Sequence, residues 1–353
     1  MNTSWPSASF LPTDSPHRVA YRVVGERSGE AWLLLHGGPG AACQPGMLRP
    51  LDLSRQWAVA PDQRGAGASR PRGWTARNHT AALVADLEAL RRRLGLERWC
   101  VLAGSWGTVV ALAYARAHPE RVERLVLRGA FAVTRRELGG LLQAGQRVTG
   151  LLGVDRVWPR APGGAVPAVL AVLRRVLQSG TPGVARLRVV RRWNRLEMAC
   201  AAIGLRRSLR HAAHEQCPAL AASIRREWAG VQRGLRRARA GLDAPRQGPV
   251  DRRLLHKYRV QAHYLAHRGF VRPGALDAAV RTAALGGIAI DWVHGRFDAV
   301  CPSANSRRWA ALGQRLGGEA RLHLTAAGHL GHEPDTLAAL RKAVRGGAGR
   351  ARS

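Results

Sequence analysis

The hydrophobic and polar positions of the chain change rhythm twice. Val19 to Val24, Ala31 to Leu35, Trp57 to Ala60 and Trp99 to Leu102 are short apolar runs that each end near Gly, Pro or Asp, and they predict strands. Between the last two, Leu83, Leu87, Leu90 and Leu94 recur at spacings of four, three and four, which places them on one helix face. A second helix is expected after Ser105, running through Ala111, Ala113 and Ala115 to His118, where Pro119 stops it. Arg124 to Leu127 is a further strand. Strands alternating with helices predict an α/β domain: a parallel sheet covered by helices on both faces.

From about Phe131 to Arg281 the strand signal disappears and Leu-, Val- and Arg-rich helical segments take over. Ile288 to Val293 and Arg321 to Leu324 then restore strands, and Thr336 to Val344 reads as a last helix. The expected organisation is a core in two parts, residues 1–130 and 282–353, with a helical insertion at 131–281 forming a cap. The stretch GLDAPRQGP from Gly241 to Pro249 reads as an exposed loop, and the tail from Gly346 to Ser353 as frayed.

With 353 residues and 46% apolar composition the chain has enough material for a sizeable core, which excludes disorder as its main state. No stretch approaches 18 uncharged apolar residues, and Met1 to Pro12 carries neither a basic start nor an apolar run, so neither a membrane span nor a secretory signal is expected. The five cysteines are far apart and form no CxxC pair, which points away from a disulfide framework or thiolate zinc site and towards a reducing, cytoplasmic setting.

Charge adds a complication. Lys and Arg total 56 against 23 acidic residues, a net +33, and only Lys257 and Lys342 are lysines. Codon drift in a GC-rich genome would produce such a bias and would also inflate Ala and Gly; selection for anion recognition by the planar guanidinium would produce it too. Residues 131–270 hold 27 basic and 7 acidic residues, so most of the excess lies in the insertion. It lacks the interleaved aromatics or recognition helix of a nucleic-acid module, and nucleic acid is not the expected partner.

The sharpest chemical signal is Ala103-Gly104-Ser105-Trp106-Gly107, between a strand and a helix of small residues. A nucleophilic serine on a tight strand-to-helix turn needs small neighbours so that the backbone can bend and the hydroxyl stand clear. A base and an acid should follow in the order Ser, Asp or Glu, His, on loops after later strands. Asp298 follows the Ile288 to Val293 strand, and His329 follows the Arg321 to Leu324 strand. Their rivals fit less well: Asp291 lies inside the strand, and His332 is three residues deeper in its loop. Donors for a developing oxyanion are expected from the Trp106 N–H and from the loop His36-Gly37-Gly38-Pro39-Gly40, which follows an early strand. The histidines show no metal-ligand spacing and the Gly-rich motif is not a phosphate cradle, so no metal or organic cofactor is expected.

HGGPG at His36 to Gly40, DQRGAGAS at Asp62 to Ser69, GSWG at Gly104 to Gly107, LAYARAHPERV at Leu112 to Val122, LVLRG at Leu125 to Gly129, HGRFDAVCP at His294 to Pro302 and AGHLGHEP at Ala327 to Pro334 together resemble the proline iminopeptidases (prolyl aminopeptidases) of the α/β-hydrolase superfamily. The likeness covers roughly residues 31–131 and 288–335. It implies an α/β-hydrolase fold with a helical cap, Ser105 as nucleophile, Asp298 and His329 as its partners, and the N–H groups of Gly38 and Trp106 as the oxyanion hole. It also implies that cap glutamates hold the substrate's free amine, one in a WxxWE string and one in a string like ENHY. Trp193-Asn194-Arg195-Leu196-Glu197 keeps the first glutamate, as Glu197, with Leu196 in place of a tryptophan. Gln261-Ala262-His263-Tyr264 aligns with the second, with Gln261 where the family has Glu.

The expected activity is therefore serine-dependent release of an N-terminal residue, proline first, from short peptides. The alternative is a hydrolase of altered cap selectivity acting on esters or non-peptide amides, favoured by Gln261 and the Arg-rich cap. A basic polyanion-binding protein is the third reading, against which the full Ser, Asp, His set argues.

Overall fold

The computed structural model of the chain describes residues 5–149, 166–178, 183–242, 244 and 247–346. The tail beyond Gly346, and Asp243, Pro245 and Arg246 of the expected 241–249 loop, lie outside the described residues.

Eight strands form one sheet: β1 (Ser9–Pro12), β2 (Arg18–Gly25), β3 (Glu30–Leu35), β4 (Gln56–Pro61), β5 (Trp99–Gly104), β6 (Val122–Arg128), β7 (Ala289–Gly295) and β8 (Ala320–Thr325), in the order β1-β2-β4-β3-β5-β6-β7-β8. The pairs from β4 onwards are parallel, whereas β1–β2 and β2–β4 are antiparallel. The alternation along the central strands explains why both faces are covered. Leu33, Leu35, Val101, Ala103, Leu125 and Leu127 enter one core, and Trp32, Leu34, Cys100, Leu102 and Val126 enter the other. Helices α1 (Thr80–Arg93) and α2 (Trp106–Ala117) cover the first face. The seven strands read from the sequence are all present, each extended by one or two residues at one end or both, although β7 begins at Ala289, one residue later than read. β1 was not legible, because four residues that end in proline at a sheet edge leave no alternation to read.

Between β6 and β7 the described residues contain helices only: α3 (Arg135–Thr149), α4 (Val166–Leu177), α5 (Gly183–His214), α6 (Pro218–Ala240), α7 (Pro249–Ala266) and α8 (Ala275–Leu285). α8 packs on α2 and joins the main core through Leu276, Ala279, Val280 and Ala283. Helices α9 (Ala304–Arg315) and α10 (Pro334–Arg345) complete the layers, α10 closing the second face through Leu340, Ala343 and Val344. Among the described residues no helix is long and apolar enough to cross a membrane.

The long α5 and α7 are held to the sheet's carboxyl edge by specific contacts. Ser208 Oγ donates to the Ala326 carbonyl at 2.5 Å, and Tyr264 OH donates to Asn78 Oδ1 at 2.7 Å. His263 Nε2 lies 2.8 Å from the Asn78 carbonyl, and burial pushes its pKa down to about 4. Such a histidine stays neutral in the folded protein while the unfolded chain titrates near 6.5, so between those values the unfolded state binds more protons and stability falls as pH falls. His263→Gln keeps a donor for Asn78 and removes the titration. Its loss of unfolding free energy between pH 7 and pH 5 is expected to be smaller than the wild type's by about 1 kcal/mol, allowing for the ring's partial exposure. Parallel urea titrations check this, and superimposable pH profiles would refute it.

Candidate active site

The sheet order places the crevice. From β3 the chain passes to β4 on one side and later to β5 on the other, and open α/β sheets bind ligands outside the carboxyl ends at such a switch. The loops after β3 and β5 carry HGGPG and Ser105 respectively.

Ser105 stands between β5 and α2 with φ 55° and ψ −124°, a region that side-chain-bearing residues avoid. The turn is over-determined by its neighbours. Ser105 N–H donates to the Arg128 carbonyl at 2.9 Å, and the Ser105 carbonyl accepts from Thr108 N–H at 2.9 Å and from Thr108 Oγ1 at 2.7 Å. A side chain at Gly107 would collide with the Leu35 carbonyl, so only glycine lets α2 start this close to β3. Gly37 lies against the serine, since a Cβ there would sit 3.3 Å from Ser105 Cβ.

Trp106 and Gly38, the expected donors, both belong to the surroundings of Ser105: one follows it in the chain and the other lines the same cavity. Trp106 opens α2, so its N–H has no acceptor one turn earlier in the helix. Gly38 has φ +117°, within the loop that lines the same cavity. That loop is braced by residues of the DQRG motif: Gln63 N–H donates to His36 Nε2 at 3.0 Å, Gln63 Nε2 donates to the His36 carbonyl at 3.0 Å, and Trp106 Nε1 donates to Gln63 Oε1 at 2.9 Å. Burial lowers the His36 pKa, in keeping with a neutral ring whose Nε2 accepts. Asp62 ties the neighbouring turns together by accepting from Cys43 N–H and Ala68 N–H, both at 2.8 Å.

His329 and Asp298 are brought together as expected: His329 Nδ1 is 2.7 Å from Asp298 Oδ2. The other carboxylate oxygen accepts from Val300 N–H at 2.8 Å and Cys301 N–H at 2.9 Å. Burial alone would raise the pKa of Asp298, but the charge of His329 and hydrogen bonds from His294 and His329 outweigh it and hold the carboxyl well below its usual range. An ionised acceptor at Nδ1 fixes the tautomer in which Nδ1 carries the proton and Nε2 is free to accept one. The rivals are engaged elsewhere. Asp291 is buried in β7, paired with Arg321 at 3.0 Å and His323 at 2.7 Å, while His332 pairs with Glu227 of α6 at 3.2 Å.

Support for the His329 loop comes from residues that the sequence alone did not single out. Glu333, fully buried, accepts from Gly328 N–H at 2.7 Å and Leu330 N–H at 2.9 Å. Arg128 NH1 donates to the His329 carbonyl. Cys301 Sγ lies 4.0 Å from Ser105 Oγ, and burial followed by the Asp298 charge pushes its thiol far up, so it is a neutral neighbour of the hydroxyl.

Ser105 and His329 open into a cavity of about 410 Å³ that is lined from the cap by Trp193, Leu196, Glu197, Met198, Lys257 and Gln261. Glu197 and Gln261 meet there, Gln261 Nε2 donating to Glu197 Oε1. Glu197 Oε2 accepts from Tyr258 OH at 3.0 Å and from Lys257 Nζ at 2.5 Å. Lys257 was not among the expected site residues. Its signal was its identity, one of two lysines in a chain otherwise basic through arginine, four residues before Gln261 and so on the same helix face. Among the described residues no group of three or more His, Cys, Asp or Glu side chains is placed to hold a metal ion.

A mostly parallel sheet with a serine on a strained strand-to-helix turn at its switch point, and an Asp–His pair on later loops, defines an α/β hydrolase. Residues 32–182 match the family described as "alpha/beta hydrolase fold". The fold is shared with MGS-M2, an alpha/beta hydrolase enzyme from a deep-sea metagenome library, at a TM-score of 0.57 and 11% identity over 98% of each chain. The chain is also 32% identical to a protein of Xylella fastidiosa (strain Temecula1) named "Proline iminopeptidase", over 96% of this chain and 97% of that one. A protein of Xanthomonas citri with the same name is 30% identical over 95% of each. The chain belongs to the proline iminopeptidase family of α/β hydrolases.

Proposed function

We propose that this protein is a serine hydrolase that releases an N-terminal residue, proline first, from short peptides. Ser105 Oγ attacks the scissile carbonyl while His329 Nε2 takes its proton, and the oxyanion is held by the N–H groups of Gly38 and Trp106. The proton passes to the leaving amine, which departs and leaves an ester on Ser105; water, activated by the same imidazole, then releases the free acid and restores the serine. The inserted helices through α7 act as the cap that shapes the acyl site, with Glu197 and Gln261 facing the substrate's amino end; α8, which begins inside the expected span 131–281, belongs instead to the core through its packing on α2. The observation that carries this reading is that His329, paired with Asp298, lines the same cavity as Ser105. The five free cysteines, four of them buried, support a reducing, cytoplasmic setting.

The rival reading as a polyanion binder would rest on Arg206, Arg207, Arg210, Arg225 and Arg226, exposed on α5 and α6, and predicts an affinity that falls steeply with salt. The purified protein is expected to hydrolyse prolyl 4-nitroanilide faster than the alanyl, leucyl and N-blocked prolyl arylamides and to act on short-chain aryl esters more slowly. Turnover of the ester alone would favour altered selectivity, and failure on every acyl substrate would overturn the hydrolase reading.

A further inference from the structure

The inside of the cap carries a cation where an amine-binding pocket should be most acidic. Among the described residues, the charged side chains lining the cavity are Arg128, Glu197 and Lys257, which set two cations and one carboxylate beside the His329 ring. Glu197 is already engaged on both oxygens, Oε2 by Lys257 Nζ at 2.5 Å and Tyr258 OH at 3.0 Å, and Oε1 by Gln261. Lys257 is held in that position from several sides. Its ammonium lies over the Tyr258 ring at 4.6 Å from the centroid, Tyr258 stacks on Trp193 at 4.7 Å, and the Lys257 backbone packs on Gly40 of the oxyanion loop. Burial and the Glu197 charge push the Tyr258 phenol well above its ordinary value, which keeps it a donor.

A second observation concerns the amide beside the carboxylate. Gln261 is 4% exposed, and its Oε1 is buried with no hydrogen-bond partner among the described residues. The bond from its Nε2 to Glu197 fixes the amide's orientation, so the orphan is an acceptor that calls for a donor. A neutral acyl group leaves the ion pair undisturbed. An ammonium must instead displace Lys257 from Glu197 or bind beside it, as a like charge in a partly desolvated pocket.

We propose that Lys257 is a specificity-determining residue that competes with a substrate's ammonium for Glu197, so that the pocket holds a cationic acyl group less tightly than the carboxylate alone would. This rests on the cavity being the acyl site of the hydrolase described above. It differs from the reading of a cationic surface, because the exposed arginines are screened whereas Lys257 acts at contact distance.

The test measures binding in the Ser105→Ala background by calorimetry, with L-prolinamide as the cationic probe and cyclopentanecarboxamide as its ring analogue without the amine. Lys257→Met is expected to tighten L-prolinamide at least tenfold and to leave cyclopentanecarboxamide within threefold, whereas Lys257→Arg, which keeps the cation, should stay near the parent for both. An unchanged affinity for L-prolinamide in Lys257→Met overturns the proposal, as does equal tightening of both probes. If that variant does not fold, Glu197→Gln decides: a carboxylate already paired to Lys257 predicts less than a threefold loss of L-prolinamide affinity, and a loss above tenfold overturns the proposal. Hydrolysis of prolyl 4-nitroanilide by the wild type is measured in parallel. Inactivity there counts against the hydrolase reading alone, and the binding ratios still decide the role of Lys257.

Discussion

Ser105→Ala is expected to reduce kcat on prolyl 4-nitroanilide by ~10⁵-fold or more and to abolish labelling by a fluorophosphonate, with the fold intact. The hydroxyl oxygen is the only heavy atom removed, and the turn that presents it is built by others: the Arg128 carbonyl, Thr108, and the close approach of Gly107 to Leu35. Such a loss corresponds to about 7 kcal/mol of transition-state stabilisation, far beyond what a packing change at one small residue would cost. Ser105→Gly should be equally inactive yet more stable than Ser105→Ala by about 1 kcal/mol, because glycine alone is at ease at φ 55°. Turnover within tenfold of the wild type in either variant would rule out Ser105 as the nucleophile.

Asp298→Asn is the second large effect, with kcat expected to fall by ~10⁴-fold and KM to change little. The argument concerns a tautomer. The Val300 and Cys301 N–H groups both donate to Oδ1, so an asparagine must keep its carbonyl on that side and turn its NH₂ towards His329 Nδ1. The ring then accepts at Nδ1 and carries its proton on Nε2, where the serine needs a base. A negative charge that would steady the imidazolium is lost as well. Thermal stability should change much less than activity, since the substituted amide retains most of the hydrogen bonds. A loss of less than tenfold would mean that this carboxylate does not orient the ring.

The two predictions rest on features that differ in how visible they were. Ser105, Asp298 and His329 could be named from the sequence because each stands just past a strand, and the strands were legible as short apolar runs ending near Gly, Pro or Asp, apolar throughout because both faces are covered, Leu33 and Leu35 entering one core and Trp32 and Leu34 the other. The elbow needs only local conditions, a small residue on each side of a serine between an apolar run and a helix. The supports of the site were much less legible. Glu333 and Arg128 hold the His329 loop through backbone groups, and a backbone acceptor or donor has no sequence identity to read. Gln63 and His36 stand in the sequence only as parts of motifs, and their mutual bonding across two loops is a product of the fold.

The cap follows the same division. Its helical character was readable from spacing, and its excess charge from counting, but neither says which side chains point inwards. Counting suggested that the arginines of residues 131–270 would bear on the substrate, whereas many of them face solvent and the cation that reaches the carboxylate is a single lysine.

The sequence by itself determined the alternation of strands and helices, the order of the Ser, Asp and His residues, and the family, since all three are written in local periodicity and short motifs. The tertiary structure alone decided that Lys257 joins Gln261 at the Glu197 carboxylate across two helices. Those contacts depend on how far α5 and α7 rotate about their axes as they dock over the switch point. That rotation is set by packing among distant side chains, a sum that no local window of sequence contains.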